Sequence, residues 1–201
     1  VDILSEANAE QHPVNQFKKW FDDVLKAGFK EPTAMALATS TRNGKPSARM
    51  VLMKEFSMDG FVFYTNYQSR KGKELAQNPQ ASLLFYWDKL ERQVRIEGAA
   101  EKVSSNVSDE YFNSRPRQSR LSALASPQSK VIEGRGVLEK KMHELESKFS
   151  GMEKIPRPRY WGGYILKPVC FEFWQGRDNR LHDRILYVLS RGRWKMKRLA
   201  P

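Results

Sequence analysis

Four stretches of the chain gather cations, two of them where a helix start alone would not favour them. In NYQSRKGKEL (66–75), Ser69 is suited to cap a helix, which puts Arg70, Lys71 and Lys73 in its first turn. A helix start already carries partial positive charge, so each cation there costs about 0.3–1 kcal/mol unless an anion sits among them. A phosphate reverses that sign and also engages the free N–H groups. The plain alternative is an exposed basic turn. In YFNSRPRQSR (111–120), Pro116 opens a second helix, with Arg115, Arg117, Ser119 and Arg120 around its start and Tyr111 one turn before. Two such places in one small domain suggest two phosphate groups, on one polyanion or on two small ligands. The strand ARMVLMK (48–54) adds Arg49 and Lys54, which strand alternation puts on opposite faces unless a bulge intervenes; a pair of strand-end charges is the bland reading. Finally, WQGRDNRLHDR (174–184) sets arginines, aspartates and His182 behind Trp174. Of the three histidines, His182 alone sits among charged partners.

Other chemistries find no footing. No G-x-G-x-x-G follows a strand, and there is no Walker A loop and no G-x-S-x-G elbow. His12, His143 and His182 lack metal-ligand spacing, so no metal site is expected; His12 suggests no role and His143 reads as solvated. Cys170 is the single cysteine, which excludes an internal disulfide; a buried structural thiol is expected. The net charge of +12 favours anionic partners: nucleic acid, a membrane surface or phosphorylated small molecules. The longest strongly apolar run, ASLLFYW (81–87), is too short to span a bilayer. A cytoplasmic protein is the default expectation, or an organellar one if a targeting segment preceded Val1.

The elements that must position these residues follow from periodicity. Residues 13–28 read as an amphipathic helix through Phe17, Trp20, Phe21, Val24 and Leu25. Strands are expected at 33–40 and 46–56, hinged on Asn43-Gly44, and at 60–66, 81–88 and 92–103. A short helix falls at 69–77, a two-piece helix at 108–125 broken at Arg115-Pro116, and another around 137–149. Strands return at 160–168, 170–176, 184–190 and 193–199, and 126–136 is the expected mobile loop. Many strands with inserted helices argue for an α+β, mainly β, antiparallel barrel with peripheral helices. At 201 residues the chain suits one domain, 13–201, behind a flexible extension over 1–12.

At these residues the chain closely resembles the pyridoxine (pyridoxamine) 5′-phosphate oxidase family. The matching blocks are SARMVLMK (47–54), GFVFYTNYQSRKGKEL (60–75), ASLLFYWDKLERQVRIEG (81–98), YFNSRPRQSRL (111–121), ASPQS (125–129), WGGY (161–164), EFWQGRDNRLHDR (172–184) and RLAP (198–201). The resemblance implies an FMN-binding split β-barrel, a homodimer with active sites at its interface and a C-terminal segment serving both dimer and site. It implies oxidation of pyridoxine 5′-phosphate or pyridoxamine 5′-phosphate to pyridoxal 5′-phosphate, with oxygen reduced to hydrogen peroxide. Carried over by position, FMN would be bound by Arg49, Met50, Val51, Leu52, Tyr64, Thr65, Arg70, Lys71, Gln93, Gln128, Ser129, Trp174 and Arg184. The substrate would meet Lys54, Tyr111, Arg115, Ser119, Arg180, Leu181 and His182, with Arg180 and His182 catalytic. Neither nucleic acid nor membrane is then an expected partner. The alternatives are another flavin split-barrel oxidoreductase, such as a flavin reductase, and a basic nucleic-acid-binding barrel. Against the first stand the substrate-side residues Lys54, Tyr111, Arg115, Ser119, Arg180 and His182, all present, and the second would expose aromatics that here fall in apolar runs.

Overall fold

The computed structural model describes residues 3–201. Helix α1 (Pro13–Lys26) begins where His12 Nδ1 accepts the Val14 N–H at 3.3 Å, so His12, without a role in the sequence, is a helix cap. Its buried face, Phe17, Trp20, Phe21 and Val24, plugs the barrel. There the Phe17 ring lies 4.9–5.1 Å from Phe56, Phe61 and Phe85, mostly edge-on.

The strands are β1 (Ala34–Ser40), β2 (Pro46–Leu52), β3 (Glu55–Ser57), β4 (Gly60–Asn66), β5 (Gln80–Trp87), β6 (Arg92–Lys102), β7 (Trp161–Gln175), β8 (Asp183–Ser190) and β9 (Arg193–Arg198). They form one antiparallel sheet in the order β2-β1-β5-β6-β7-β4-β3, with β8 and β9 added along β7. Two residues after β2, the Lys54 amide bonds to Val62 O of β4, and β3 pairs with that same strand. The sheet therefore curls round until its two ends meet.

The sequence suggests two strands at 160–168 and 170–176, but β7 is continuous. Register slips between Glu97 and Gly98, leaving Val169 as the extra residue of a bulge that bends the ladder without ending it. A side chain on Gly98 would collide with the Lys167 carbonyl, so the bulge depends on that glycine. Before the bulge β7 pairs with β4; after it, the same edge pairs with β8, and the barrel splits into two branches. Cys170 sits just past the bulge. It is half-buried outside the core rather than enclosed in it, and partial burial pushes its thiol pKa up.

Helices α2 (Arg70–Gln77), α3 (Ser105–Ser114), α4 (Arg117–Ala125) and α5 (Arg135–Lys148) lie on the outside. The last three share a satellite core around Phe112, Leu121, Phe149 and Trp161. The expected flexible extension is packed over residues 3–12, while residues 1 and 2 lie outside the described residues. Leu4 and Ala9 are buried, Arg198 reaches Glu6 at 2.8 Å and the Leu4 carbonyl at 3.2 Å, and Tyr187 donates to Glu10 O at 2.7 Å.

Candidate functional site

Helix α2 starts as its sequence suggests, with Ser69 Oγ accepting the Gly72 N–H at 3.3 Å. Behind that cap lies Lys71, only 9% exposed. Its ammonium meets Thr65 Oγ1 at 3.3 Å and Gln128 Oε1 at 3.2 Å, both neutral, and no carboxylate pairs with it among the described residues. Burial, then the nearby Arg49 charge, pushes its pKa below the ordinary lysine value. A buried cation of this kind fits an anionic ligand.

Arg49 and Arg70 flank it differently. Arg49 donates to Leu37 O at 3.1 Å and pairs with Glu74 Oε2 at 3.3 Å; Arg70 Nε pairs with Glu74 Oε1 at 2.9 Å. Burial alone would raise the Glu74 pKa. Hydrogen bonds from Ser47, Thr39 and Arg70, with the Arg49 charge, outweigh that and hold it at about 2.

Next to Lys71 opens a cavity of about 510 Å³. Met50, Val51 and Leu52 of β2, Lys54, and Tyr64 and Thr65 of β4 form one wall; Tyr111, Arg115, Pro116, Ser119, Gln128 and Trp161 form the other. Lys54 shares its alternation with Met50 and Leu52, while Arg49 turns the other way toward Glu74, as strand alternation requires. The rings of Tyr64 and Tyr111 stack at 3.8 Å, and the Arg115 guanidinium lies 4.7 Å from the centre of the Trp161 ring. Arg115 Nη1 is buried with no hydrogen-bond partner among the described residues, and burial lowers the pKa of its guanidinium. That orphaned donor is the second feature suited to an anion. Burial also raises the Tyr111 pKa, which keeps its hydroxyl protonated as a donor.

A second group lies elsewhere. Gln93, Trp174 and Arg184 are direct neighbours across β6, β7 and β8, so their side chains share one face of the sheet. Arg184 is held by Glu172 at 2.8 Å and by the Ala200 carbonyl at 2.7 Å. The His182 ring packs 4.7 Å from that of Trp174, and its Nδ1 accepts the Arg177 N–H at 3.1 Å. Neutral His182 therefore carries its proton on Nε2 and presents a donor there. Arg180 and Leu181 are exposed, with Asn179 and Arg180 in the left-handed region at φ 55° and 61°.

None of these C-terminal residues lines the cavity of their own chain. Trp161 and Trp174 stand at opposite ends of β7, about 40 Å apart along the strand at the usual rise per residue. One small ligand cannot touch both ends in a single chain.

Several expected ligands also differ in place. Arg49, Arg70 and Ser129 do not line the cavity; Ser129 is exposed at φ 69°. Arg117, expected at the second anion site, instead donates to Phe149 O and to Met152 O at 2.7 Å, capping the end of α5. Arg177, without a role in the sequence, holds His182 and pairs with Asp183 at 2.9 Å. Sequence reasoning missed Glu74, Trp161 and Glu172 as parts of these sites. Only Glu74 carried a local signal, its i,i+4 spacing from Arg70. No His/Cys/Asp/Glu cluster that could hold a metal occurs among the described residues.

Comparison with known proteins bears on both groups. Residues 21–149 match the family model described as pyridoxamine 5′-phosphate oxidase. Residues 161–201 match the pyridoxine 5′-phosphate oxidase C-terminal dimerisation region. The pyridoxine/pyridoxamine 5′-phosphate oxidase of Nostoc punctiforme is 58% identical, covering 98% of this chain and 92% of its own. That of Trichormus variabilis is 55% identical, covering 100% and 94%. Among solved structures, PhzG from Burkholderia lata, in complex with tetrahydrophenazine-1-carboxylic acid, superposes with TM-score 0.93 at 32% identity, covering 100% of this chain and 99% of that one. A pyridoxamine 5′-phosphate oxidase-related, FMN-binding protein of Nostoc punctiforme shares the split-barrel fold at TM-score 0.74 and 19% identity, covering 96% and 100%.

Proposed function

The chain belongs to the pyridoxamine 5′-phosphate oxidase family, and we propose that it oxidises pyridoxine 5′-phosphate and pyridoxamine 5′-phosphate to pyridoxal 5′-phosphate with FMN as cofactor. Oxygen takes the two electrons and becomes hydrogen peroxide; the amine substrate also consumes water and releases ammonia. The observation that carries this reading is one cavity bordered by two separate unmet positive groups, buried Lys71 and the orphaned Nη1 of Arg115. Two phosphates, one on FMN and one on the substrate, answer both.

FMN when bound supplies the two-electron acceptor that no side chain here offers. Lys71, Arg49 and Arg70, with Gln128 and Ser129, hold its phosphate, and Met50, Val51, Leu52, Tyr64 and Thr65 line the flavin. Lys54, Tyr111, Arg115 and Ser119 take the substrate phosphate by charge-assisted hydrogen bonds. Gln93, Trp174 and Arg184 complete the flavin site, and Arg180, Leu181 and His182 cover the substrate ring. Arg180 holds the ring and stabilises developing charge, and His182 orients the reacting group through Nε2–H. These last residues come from a second copy in a homodimer with sites at its interface, a reading supported by the length of β7 and by the match of residues 161–201 to a dimerisation region.

The experiment is direct. Purified protein should be yellow or take up FMN, and pyridoxine 5′-phosphate in air should give aldehyde and peroxide in equal amounts. Unphosphorylated pyridoxine should be a far poorer substrate. A colourless protein that refuses FMN, or a yellow one indifferent to the substrate phosphate, sinks the proposal.

A further inference from the structure

Arg49 and Arg70, proposed above to hold the FMN phosphate, share one carboxylate, Glu74, and none of the three lines the cavity. Glu74 is 4% exposed, on the second turn of α2. One oxygen takes Arg70 Nε at 2.9 Å. The other takes Ser47 Oγ at 2.6 Å, the Thr39 hydroxyl and Arg49 Nη2 at 3.3 Å. Arg49 comes from β2 and Arg70 from the opening of α2, so this single side chain ties together two elements that the ligand must bridge.

We infer that Glu74 is a positioning residue for the FMN phosphate, holding Arg49 and Arg70 in the arrangement that receives it. This rests on the FMN reading above. Arg70 is a long, 57% exposed side chain that would otherwise sample many rotamers, and Glu74 removes that freedom before the ligand arrives. Charge points the same way. Arg49, Arg70 and Lys71 against Glu74 leave two positive charges in excess, matching the charge of about −2 on a phosphate monoester. A carboxylate beside an anion site would ordinarily repel the ligand. Here both of its oxygens are already taken up by hydroxyl and guanidinium donors.

The test titrates FMN and riboflavin, which lacks the phosphate, into the flavin-stripped full chain and follows flavin fluorescence. Wild-type protein should bind FMN much more tightly than riboflavin. Glu74→Gln should weaken FMN by about ten- to a hundredfold, the scale for losing an outer-shell partner of a bound ion, while riboflavin changes little. Equal weakening of both flavins would make Glu74 merely structural. Unchanged or tighter FMN binding would also overturn the inference. Should Glu74→Gln not fold, Ser47→Ala removes one donor to Glu74 and one acceptor from Arg49; it should shift FMN alone in the same direction, and no selective shift overturns the inference. A wild-type protein that ignores the flavin phosphate defeats the underlying site assignment instead, a result visible before any variant is made.

Discussion

The cavity between β2, β4 and the α3–α4 corner and the row formed by Gln93, Trp174 and Arg184 both gather arginines on aromatic neighbours, yet they differ in completeness. Around the cavity, Lys71 is buried and Arg115 is stacked on Trp161, so the donors are fixed before any ligand arrives. In the C-terminal region, Arg184 is equally well held by Glu172, but Arg180 and Leu181 project into solvent from a left-handed turn. One region is a finished receptor; the other is half of one. The cavity gets its buried cations from one chain, whereas Arg180, Leu181 and His182 lie toward the far end of that chain's β7 and line no part of it.

The comparison breaks most sharply at Arg180. Arg180→Ala should lower kcat by about 10²–10³-fold, the usual cost of losing a group that stabilises developing charge, with FMN retained. Arg70→Ala should do the reverse, and equal loss of turnover and FMN in each variant would erase the distinction between the regions. Arg115→Ala should raise the KM for pyridoxine 5′-phosphate by about 10–100-fold, as expected for charged hydrogen bonds, and spare FMN retention. Exchanging subunits between the impaired Arg180→Ala and Arg115→Ala preparations should restore about a quarter of wild-type activity at substrate well below KM, since half the dimers are mixed and each has one intact site. No recovery would place both residues in a site built by one chain. The smallest effect concerns pH. Lys71 has a depressed pKa without ligand, and a phosphate would raise it again, so binding takes up a proton between those two values. FMN affinity should therefore fall as pH rises through that alkaline window, and a Lys71→Arg variant should flatten the fall.

Local chemistry was readable in the sequence where one element decides it. The Asn43-Gly44 hairpin, the Ser69 cap and the break at Arg115-Pro116 depend on adjacent residues, and each is found. The division of Lys54 from Arg49 follows from alternation alone. What stayed hidden needed distant partners. Arg117 looks like an anion ligand until the end of α5 and the turn after it bring the Phe149 and Met152 carbonyls alongside. Two strands look separate at 160–176 because Pro168 interrupts the pattern, yet a bulge opposite Gly98 keeps the ladder whole. Glu74 looks like an ordinary helix-surface partner of Arg70 until β1 and β2 close over it.

The packing of residues 3–12 also bears on how the protein is made. Its anchors are Tyr187 and Arg198, and these contacts join positions separated by 177 to 194 residues. During translation the first of those segments leaves the ribosome long before the second exists, so it cannot dock until β8 and β9 have emerged. Closing so long a loop is slow relative to local helix formation. The contacts that pin the N-terminal segment to β8 and β9 can therefore form only late in synthesis, whereas its bonds to Gln16 and Lys19 of α1 can form early.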